Sequence, residues 1–219
     1  VAPLQPSAPF AAASAFNSAE LSQVPVLDSD LTNAAAFPDQ ATDAHGQQVD
    51  LRRENSWVLR LHQVPTAEMA EVLAINTMAP FIINARLKPL MEADLESDKF
   101  IVNVSAMEGK FYRFKSDKHP HTNMAKAALN MMTRTSAADY AKSRIYMTSV
   151  DTGWINDENP VDKAASIAQK HDFATPLDEV DAAARVLDPI LAPVAAKARG
   201  DRTIPPHGHF IKDYCKCEW

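Results

Sequence analysis

An apolar strand, a loop and a long helix follow one another between residues 100 and 142, and they constrain the fold more than any other part of the chain. Residues 100–104 read Phe-Ile-Val-Asn-Val, a short apolar run that is typical of a strand buried in a parallel sheet. Residues 123–142 carry an apolar stripe at helical spacing, and residues 145–150 form a second apolar strand. This alternation of strand, helix and strand predicts an α/β layer structure.

Further elements on both sides extend the alternation. A helix is predicted from Thr66 to about Met91, with a kink about one turn before Pro80, because proline removes a backbone hydrogen bond and clashes with the preceding turn. Residues 176–187 are predicted to be helical, with acidic residues early and a basic residue late, an arrangement that suits the helix dipole. Residues 209–212 are predicted as the last strand.

The composition of the chain changes near Asp50. Residues 1–50 contain six acidic residues and no lysine or arginine, so they account for the whole net charge of −6, and residues 51–219 are neutral. The start of the chain is rich in Ala, Pro and Ser, which predicts a flexible linker or an exposed insertion over residues 1–46. Residues 47–219 are predicted to form one folded domain, and they are numerous enough for a substantial core.

Charge, hydropathy and cysteine content exclude several classes of protein. A neutral domain without a basic stripe gives no electrostatic reason to expect nucleic-acid binding. The apolar runs look too short for a membrane span, so we expect a soluble protein. Cys215 and Cys217 cannot complete a tetrahedral metal site alone, so we expect reduced surface thiols, no bound metal and an intracellular, reducing compartment.

The sequence around the first strand and the following helix resembles the catalytic centre of the short-chain dehydrogenase/reductase superfamily. The strand ends in Asn-Val-Ser-Ala at residues 103–106, and the helix carries Met-Ala-Lys-Ala-Ala-Leu at residues 124–129. In that superfamily an Asn, a Ser, a Tyr and a Lys cooperate: the tyrosine exchanges a proton with the substrate oxygen, and the lysine lowers the tyrosine pKa and holds the cofactor ribose. The resemblance implies Lys126 as the lysine, Asn76 as the asparagine of the kinked helix and Ser105 as the serine.

The catalytic pattern is incomplete in this chain. Thr122 stands at the tyrosine position, four residues before the lysine, and a threonine hydroxyl is a far weaker acid than a phenol. The family's second serine, which is the catalytic one, aligns with Ala106, and the loop 107–121 is longer than usual. His119 and His121 flank the site, and an imidazole has the right intrinsic pKa to replace the phenol, although surface histidines are the simpler interpretation.

The resemblance also implies a nicotinamide cofactor, either NAD or NADP. Lys126 would bind its ribose, and Asp151 and Gly153 stand where the family usually has Pro-Gly beside the nicotinamide. The glycine-rich loop that holds the cofactor phosphates is missing, because the chain has five glycines and no two of them lie within seven residues of each other. The polar segment 155–173 corresponds to the substrate lid.

The resemblance covers residues 47–219, which correspond to the C-terminal half of a doubly wound parallel-sheet, Rossmann-like domain. The N-terminal half of that fold is absent from the sequence, and three parallel strands alone would expose a hydrophobic edge. We therefore expect another chain, or a segment upstream of this one, to supply the first half. The superfamily commonly dimerises through the helices represented by residues 66–93 and 122–142, so the resemblance implies a homo- or hetero-oligomer.

Three functions remain open on the sequence alone. The first is an NAD(P)-dependent alcohol or carbonyl oxidoreductase with impaired or altered acid–base groups. The second is a catalytically inactive scaffold subunit of a larger assembly, which the missing tyrosine and the displaced serine favour. The third is a domain that binds a dinucleotide without turning it over. Lys126 and Asn76 favour a retained cofactor site.

Overall fold

A four-stranded sheet with helices packed against it organises the protein. The computed structural model describes residues 24, 27, 34–42, 48–112, 114–155, 158–160, 164 and 175–219. In the order of the sheet, the strands are β1 (Lys99–Ser105), β2 (Ile145–Asp151), β3 (Phe210–Lys212) and β4 (Cys215–Cys217). The pairs β1–β2 and β2–β3 are parallel, and β3–β4 is antiparallel. The predicted α/β class with a parallel-sheet core is confirmed.

Helices connect and cover these strands. The described α-helices are α1 (Thr66–Leu73), α2 (Ala79–Glu92), α3 (Pro120–Ala141) and α4 (Glu179–Ala198). Shorter helical turns are a π-helical turn at Ala74–Met78 and 3-10 turns at Ala34–Ala36, Ser56–Val58 and Met107–Gly109. The strands and the long helix predicted between residues 100 and 150 are confirmed, because each observed end lies within three residues of its predicted position.

The centre of the sheet is β2, which is buried along its whole length between β1 and β3. The main apolar cluster consists of Ile101, Ala137, Tyr140, Ile145 and Met147. Strands β1 and β2 pair residue for residue, from Lys99 beside Ile145 to Ser105 beside Asp151. Their carboxyl ends therefore lie at the same level, where side chains from both strands can meet.

The helix predicted from Thr66 is interrupted where a kink was expected. The π-helical turn Ala74–Met78 lies immediately before Pro80. A proline has no N–H and clashes with the carbonyl four residues before it, so ordinary α-helical hydrogen bonding cannot continue through this turn. Thr77 donates from Oγ1 to the carbonyl of Ala125 at 3.1 Å, which attaches the turn to α3.

The helix predicted over residues 176–187 begins later and extends further in the structure. Helix α4 begins after a capping box formed by Asp178 and Asp181, and it continues past two prolines, Pro189 and Pro193. The predicted helix ends at residue 187, before these prolines, and proline in a helix interior usually breaks the helix. Proline fixes φ at a helical value, however, so it can remove hydrogen bonds without ending the helix.

Part of the segment predicted as a linker packs against the start of the domain. The N–H of Leu51 donates to the carbonyl of Ala36 at 2.8 Å, and Ala36 is buried. The Arg52 guanidinium lies 5.0 Å from the centre of the Phe37 ring. Most of the remaining residues up to 46, and most of the predicted lid 155–173, lie outside the described residues.

One edge of the sheet and one helix surface are exposed. Among the described strands, β1 has β2 as its one neighbour, and Val104 near the end of β1 is 44% exposed. The π-helical turn and α2 expose several large apolar side chains: Ile75, Met78, Phe81, Ile82, Ile83, Leu87 and Leu90. Open strand edges and exposed apolar helix surfaces of this kind are normally covered by further protein.

The same helical region, Thr66–Glu92, is long and apolar enough to cross a membrane when length and composition alone are considered. The sequence analysis predicted this helix but did not recognise that it is long and apolar enough to be a candidate membrane span. A core helix of a soluble protein passes the same test, and in α2 the Asn84 side chain makes a buried 3.1 Å hydrogen bond to the side chain of Asn103 in β1. The absence of a membrane span therefore stays a prediction.

Candidate active site

A cavity of about 880 Å³ opens at the carboxyl ends of β1 and β2. Its wall includes the ends of both strands, the turn that begins at Met107, the beginning of α3, the end of β3 and part of residues 50–57. Ligands bind at this edge in open parallel α/β sheets. Five of the six site residues predicted from the sequence line the cavity: Ser105, Thr122, Lys126, Asp151 and Gly153.

Asn76 is the predicted site residue that does not line the cavity. It lies in the π-helical turn, where its Nδ2 donates to the carbonyl of Val72 at 3.2 Å. The neighbouring Thr77 binds the backbone of Ala125, the residue before Lys126. The structure therefore places Asn76 close to the lysine-bearing turn of α3, and its role in the site stays a prediction.

Ser105 ends β1 directly beside Asp151 of β2. It is 3% exposed, and its Oγ has no hydrogen-bond partner among the described residues. A buried hydroxyl without a partner costs about 1 to 3 kcal/mol, so such a group is normally satisfied by water or a ligand. Ala106 occupies the position of the family's catalytic serine and has no hydroxyl, so Ser105 is the hydroxyl that this strand end offers.

Lys126 reaches the cavity from α3. Its Nζ donates to the carbonyl of Val104 at 3.1 Å. Burial lowers the pKa of Lys126, and the nearby carboxylate of Glu108 opposes that effect. A lysine with a lowered pKa exchanges its proton more readily near neutral pH than an exposed lysine does.

Thr122 lies one helical turn before Lys126, on the same face of α3, and both residues line the cavity. No tyrosine is among the described residues that line it, so no second tyrosine takes the place of the family's phenol there. Tyr112, in the enlarged loop, instead places its hydroxyl 3.2 Å from Sγ of Cys217. The departure at the tyrosine position is therefore present in the folded site as well as in the sequence.

Neither of the two histidines that flank this site lines the cavity. His121 is 2% exposed, does not line the cavity and lies 3.9 Å from Glu68, Nε2 to Oε1; burial lowers the pKa of His121. His119 stacks on Trp57 with ring centres 3.9 Å apart, and its Nδ1 lies 2.8 Å from the Trp57 carbonyl. This geometry argues against an imidazole replacing the missing phenol.

Asp151 is paired with a residue that the sequence reasoning missed. Lys212, at the end of β3, donates from Nζ to the buried Asp151 carboxylate at 2.6 Å. The two residues are direct partners in the parallel pairing of β2 and β3. The available signal was the prediction of a last strand ending at Lys212, because an acid at the end of a buried strand requires a cation nearby.

Gly153 lies just after β2, in a conformation that favours glycine. Its φ of +82° is in the left-handed region, which favours glycine. A Cβ at this position would lie 2.4 Å from Cδ1 of Leu177. A side chain here would strain the backbone and displace Leu177, so glycine suits this wall of the cavity.

A second ion pair at the cavity wall also escaped the sequence prediction. The Arg52 guanidinium binds the Asp50 carboxylate, with an Nη2–Oδ2 distance of 2.7 Å. Burial raises the pKa of Asp50, but the hydrogen bonds from Arg52 outweigh this effect and lower it overall. The change of composition at residue 50 marked a domain boundary without showing that the boundary contributes to the site.

The described residues contain no cluster of His, Cys, Asp or Glu that could hold a metal ion.

Comparison with known proteins identifies the family. The model of the family described as enoyl-(acyl carrier protein) reductase matches residues 26–190, which is most of the chain. The chain belongs to the short-chain dehydrogenase/reductase superfamily. The match begins inside the segment predicted as a linker, in agreement with the contacts between residues 34–42 and the start of the domain.

The superfamily relatives are longer than this chain. An uncharacterized protein of Acanthamoeba polyphaga mimivirus is 31% identical over 156 residues, which are 68% of this chain and 32% of that protein. The uncharacterized oxidoreductase YxbG of Bacillus subtilis is 30% identical over 147 residues, which are 65% of this chain and 50% of that protein. The chain thus spans between a third and a half of the length of these relatives.

Two solved structures share the fold at low sequence identity. The carbonyl reductase Sniffer of D. melanogaster has a TM-score of 0.52 and 19% identity, with 74% of this chain and 61% of that chain covered. A short-chain dehydrogenase/reductase from Burkholderia multivorans with bound NADP has a TM-score of 0.51 and 18% identity, with the same coverage of 74% and 61%. These likenesses support the Rossmann-like fold class.

Proposed function

We propose that this chain carries the substrate end of an NAD(P)-dependent alcohol or carbonyl oxidoreductase site with an altered acid–base group. The observation that carries the proposal is the cavity at the carboxyl ends of β1 and β2, in which Ser105, Thr122 and Lys126 come together. Because none of the described residues that line this cavity is a tyrosine, another group has to exchange the proton. We assign that exchange to Lys126.

Lys126 suits proton transfer better than Thr122 does. Burial lowers the pKa of Lys126, which raises the fraction of this side chain that can exchange a proton near neutrality. The hydroxyls of Ser105 and Thr122 would donate hydrogen bonds to the substrate carbonyl oxygen and stabilise the negative charge that develops on it. A proton from Nζ of Lys126 to that oxygen then completes the alcohol.

The residues around the cavity fit the nicotinamide end of a cofactor. A bound NAD or NADP supplies or accepts the hydride. The Lys126 ammonium has three N–H donors, and one of them is bound to the carbonyl of Val104. The other two N–H groups remain for ribose hydroxyls. The unpartnered Oγ of Ser105 also supports a missing ligand in this cavity. The phosphate end requires a glycine-rich loop, which we assign to a first half of the fold supplied by another chain or an upstream segment.

The same proposal includes a partner for the open edge of β1. The exposed Val104 and the apolar surface of α2 support a first half of the fold that pairs with this edge, supplied by another chain or by an upstream segment. The exposed Phe81 of α2, with Met124 and Met131 of α3, supports an oligomer formed through these helices. Analytical ultracentrifugation of the full-length protein tests the oligomer, and a monomer at all concentrations would contradict it.

Titration of the full-length protein with NADH and with NADPH, followed by turnover assays with small aldehydes and ketones, tests the enzyme. Lys126→Arg keeps a positive charge but holds its proton, so it should retain nucleotide binding and lose turnover. Lys142→Met, in an exposed residue at the end of the same helix, is the matched control and should retain both. Carbonyl reduction by the unmodified protein should fall as the pH rises through the lowered pKa of Lys126.

Thr122 and Ala106 favour two alternatives, and the same titration separates them. A protein that binds neither nucleotide would be an inactive scaffold subunit with this fold. A protein that binds a nucleotide but turns over none of the carbonyl compounds would be a dinucleotide-binding domain. Turnover that survives Lys126→Arg would contradict the assignment of the proton to Lys126 and leave the oxidoreductase function standing.

A further inference from the structure

Lys110 is a buried cation without a carboxylate partner in the described part of the chain. It follows the turn Met107–Gly109 and is 1% exposed. Its Nζ donates to Sγ of Cys217 at 3.3 Å, and this sulfur is the one hydrogen-bond acceptor that the described residues offer it. The same Nζ lies 4.1 Å from the ring centre of Phe210 and 4.7 Å from that of Tyr112. Burial of an ammonium is costly unless an anion lies beside it, and aromatic rings compensate for only part of the cost.

The position of Lys110 is fixed by close packing of the preceding turn. A Cβ on Gly109 would lie 2.6 Å from the carbonyl carbon of Lys126 and 2.7 Å from Nδ2 of Asn130, so the turn touches α3 directly. Nδ2 of Asn130 donates to the carbonyl of Gly109 at 3.3 Å in the interior. Lys110 is therefore held toward β3 and β4, and it is not a surface side chain that happens to fold inward.

Cys217 is the anion that this arrangement can provide. It lies half-buried in β4 opposite the fully buried Phe210 of β3. The Tyr112 hydroxyl is 3.2 Å from Sγ, so it can donate to a thiolate. Hydrogen bonds from Tyr112 and from Lys110 lower the pKa of Cys217, although burial raises it. Cys217, Lys110 and Tyr112 form what we call the thiol cluster.

We propose that the thiol cluster is a modification site in which Cys217 is a thiolate, paired with the Lys110 ammonium, that reacts with hydroperoxides. The sulfur attacks one peroxide oxygen, the O–O bond breaks, and two electrons pass from sulfur to the peroxide. With hydrogen peroxide the products are the sulfenic acid of Cys217 and hydroxide, which takes a proton from solvent. The site lies apart from the cavity residues that carry the proposed oxidoreductase function, and it does not depend on that function.

The neighbouring Cys215 cannot easily trap this sulfenic acid as a disulfide. Both residues lie in the extended strand β4, two positions apart and therefore on the same face, so their Cβ atoms, like their Cα atoms, are separated by about 6.6 Å. A disulfide needs Cβ atoms only about 3.5 to 4.5 Å apart, which would require breaking the pairing of β4 with β3. The expected product is therefore the sulfenic acid and its further oxidation products, without a bond between the two cysteines.

Alkylation of the full-length protein by iodoacetamide over a range of pH tests the thiolate. Mass spectrometry of the C-terminal peptide reports Cys217 and the exposed Cys215 in the same molecule, so Cys215 is an internal control. We expect the pH midpoint for Cys217 to lie below that for Cys215, and each unit between them corresponds to about tenfold more thiolate at low pH. Equal midpoints, or a higher one for Cys217, would overturn the proposal.

Variants of the cluster assign the effect to its members. Lys110→Met should raise the midpoint of Cys217 and leave that of Cys215 unchanged, and Lys110→Arg should preserve it. If Lys110→Met does not fold, Tyr112→Phe alters an exposed residue and should also raise the midpoint of Cys217, because one hydrogen bond to the thiolate is lost. An unchanged midpoint in the folded variants would contradict the role of the cluster.

Treatment with hydrogen peroxide tests the chemistry. Dimedone added afterwards should label Cys217 in preference to Cys215, and Lys110→Met should reduce this label. Equal labelling of both cysteines, or a disulfide between them, would show that Cys217 is an ordinary thiol or that β4 opens, and either result would overturn the proposal.

Discussion

Lys126 and Lys110 are two partly or fully buried lysines that depend on the same turn, Met107–Gly109, but they have different surroundings. Lys126 binds one backbone carbonyl and otherwise faces a cavity of about 880 Å³. Lys110 is enclosed by two aromatic rings and a thiol. The open position leaves donors for a ligand, whereas the closed one requires a neighbouring anion from the protein itself. One turn of chain thus lies beside two lysines in different environments.

Exchange of each lysine for methionine is the strongest test of whether the two lysines act separately. We expect Lys126→Met to lower kcat/KM for carbonyl reduction by about 10²- to 10⁴-fold, the usual contribution of a general acid, and to leave alkylation of Cys217 unchanged. Lys110→Met should do the reverse. Turnover and alkylation measured on both variants decide the matter, and a single variant that loses both would show that the two lysines form one site.

Lys212 is a third lysine, and it differs from Lys126 and Lys110 because its partner is a carboxylate, that of Asp151. Lys212→Met leaves the buried Asp151 charge without a cation, and we expect a loss of about 2 to 3 kcal/mol in the free energy of unfolding, less than for a fully buried pair because Lys212 is partly exposed. Asp151→Asn combined with Lys212→Met should recover much of this loss in urea unfolding. The exposed Lys216→Met is the control. No recovery in the double variant would mean that the loss comes from packing.

Gly109→Ala tests whether the shared turn positions both lysines. The new Cβ would meet the backbone of Lys126 at 2.6 Å, so we expect a destabilisation of about 2 kcal/mol, with changes in both nucleotide binding and the pH midpoint of Cys217. Gly200→Ala is the comparison variant, because nothing lies within 4 Å of its Cβ position and only the backbone strain of φ +91° remains. A variant of Gly109 that alters one readout alone would show that the two sites are positioned independently.

The sequence predicted those parts of the molecule whose signals are local. The β1–α3–β2 unit and the positions of Ser105, Thr122 and Lys126 follow from periodicity and a short motif, and the structure brings them to one cavity. The pairing of Asp151 with Lys212 depends on strand order and register, which single-sequence patterns do not give.

The thiol cluster was less predictable still. Lys110 and Cys217 are 107 residues apart in the chain, and the last strand, β4, is only three residues long. We expected both cysteines to be surface thiols on a tail, but both lie in β4; Cys215 is exposed, whereas Cys217 is half-buried and accepts a hydrogen bond from Lys110. Contacts of this kind arise only when the sheet has assembled, so composition and spacing carry no signal for them.

His121 provides the smallest test, and it asks whether a histidine belongs to the Lys126 site. Burial lowers the pKa of His121 in the folded state below its usual value of about 6.5, and the neighbouring Glu68 only partly opposes this, while His119 adds to it. Below about pH 6.5 the unfolded chain takes up a proton that the buried ring does not, so His121 should make stability fall as the pH falls, by at most about 1.4 kcal/mol per pH unit.

His121→Leu should therefore flatten the pH dependence of urea unfolding as the pH falls below about 6.5. The variant should leave carbonyl turnover unchanged, because the imidazole does not line the cavity. The exposed His62→Gln is the control and should alter neither measurement. A loss of turnover in His121→Leu, with its stability intact, would mean that His121 exchanges the proton with the substrate. Lys126 would then serve only to bind the cofactor ribose.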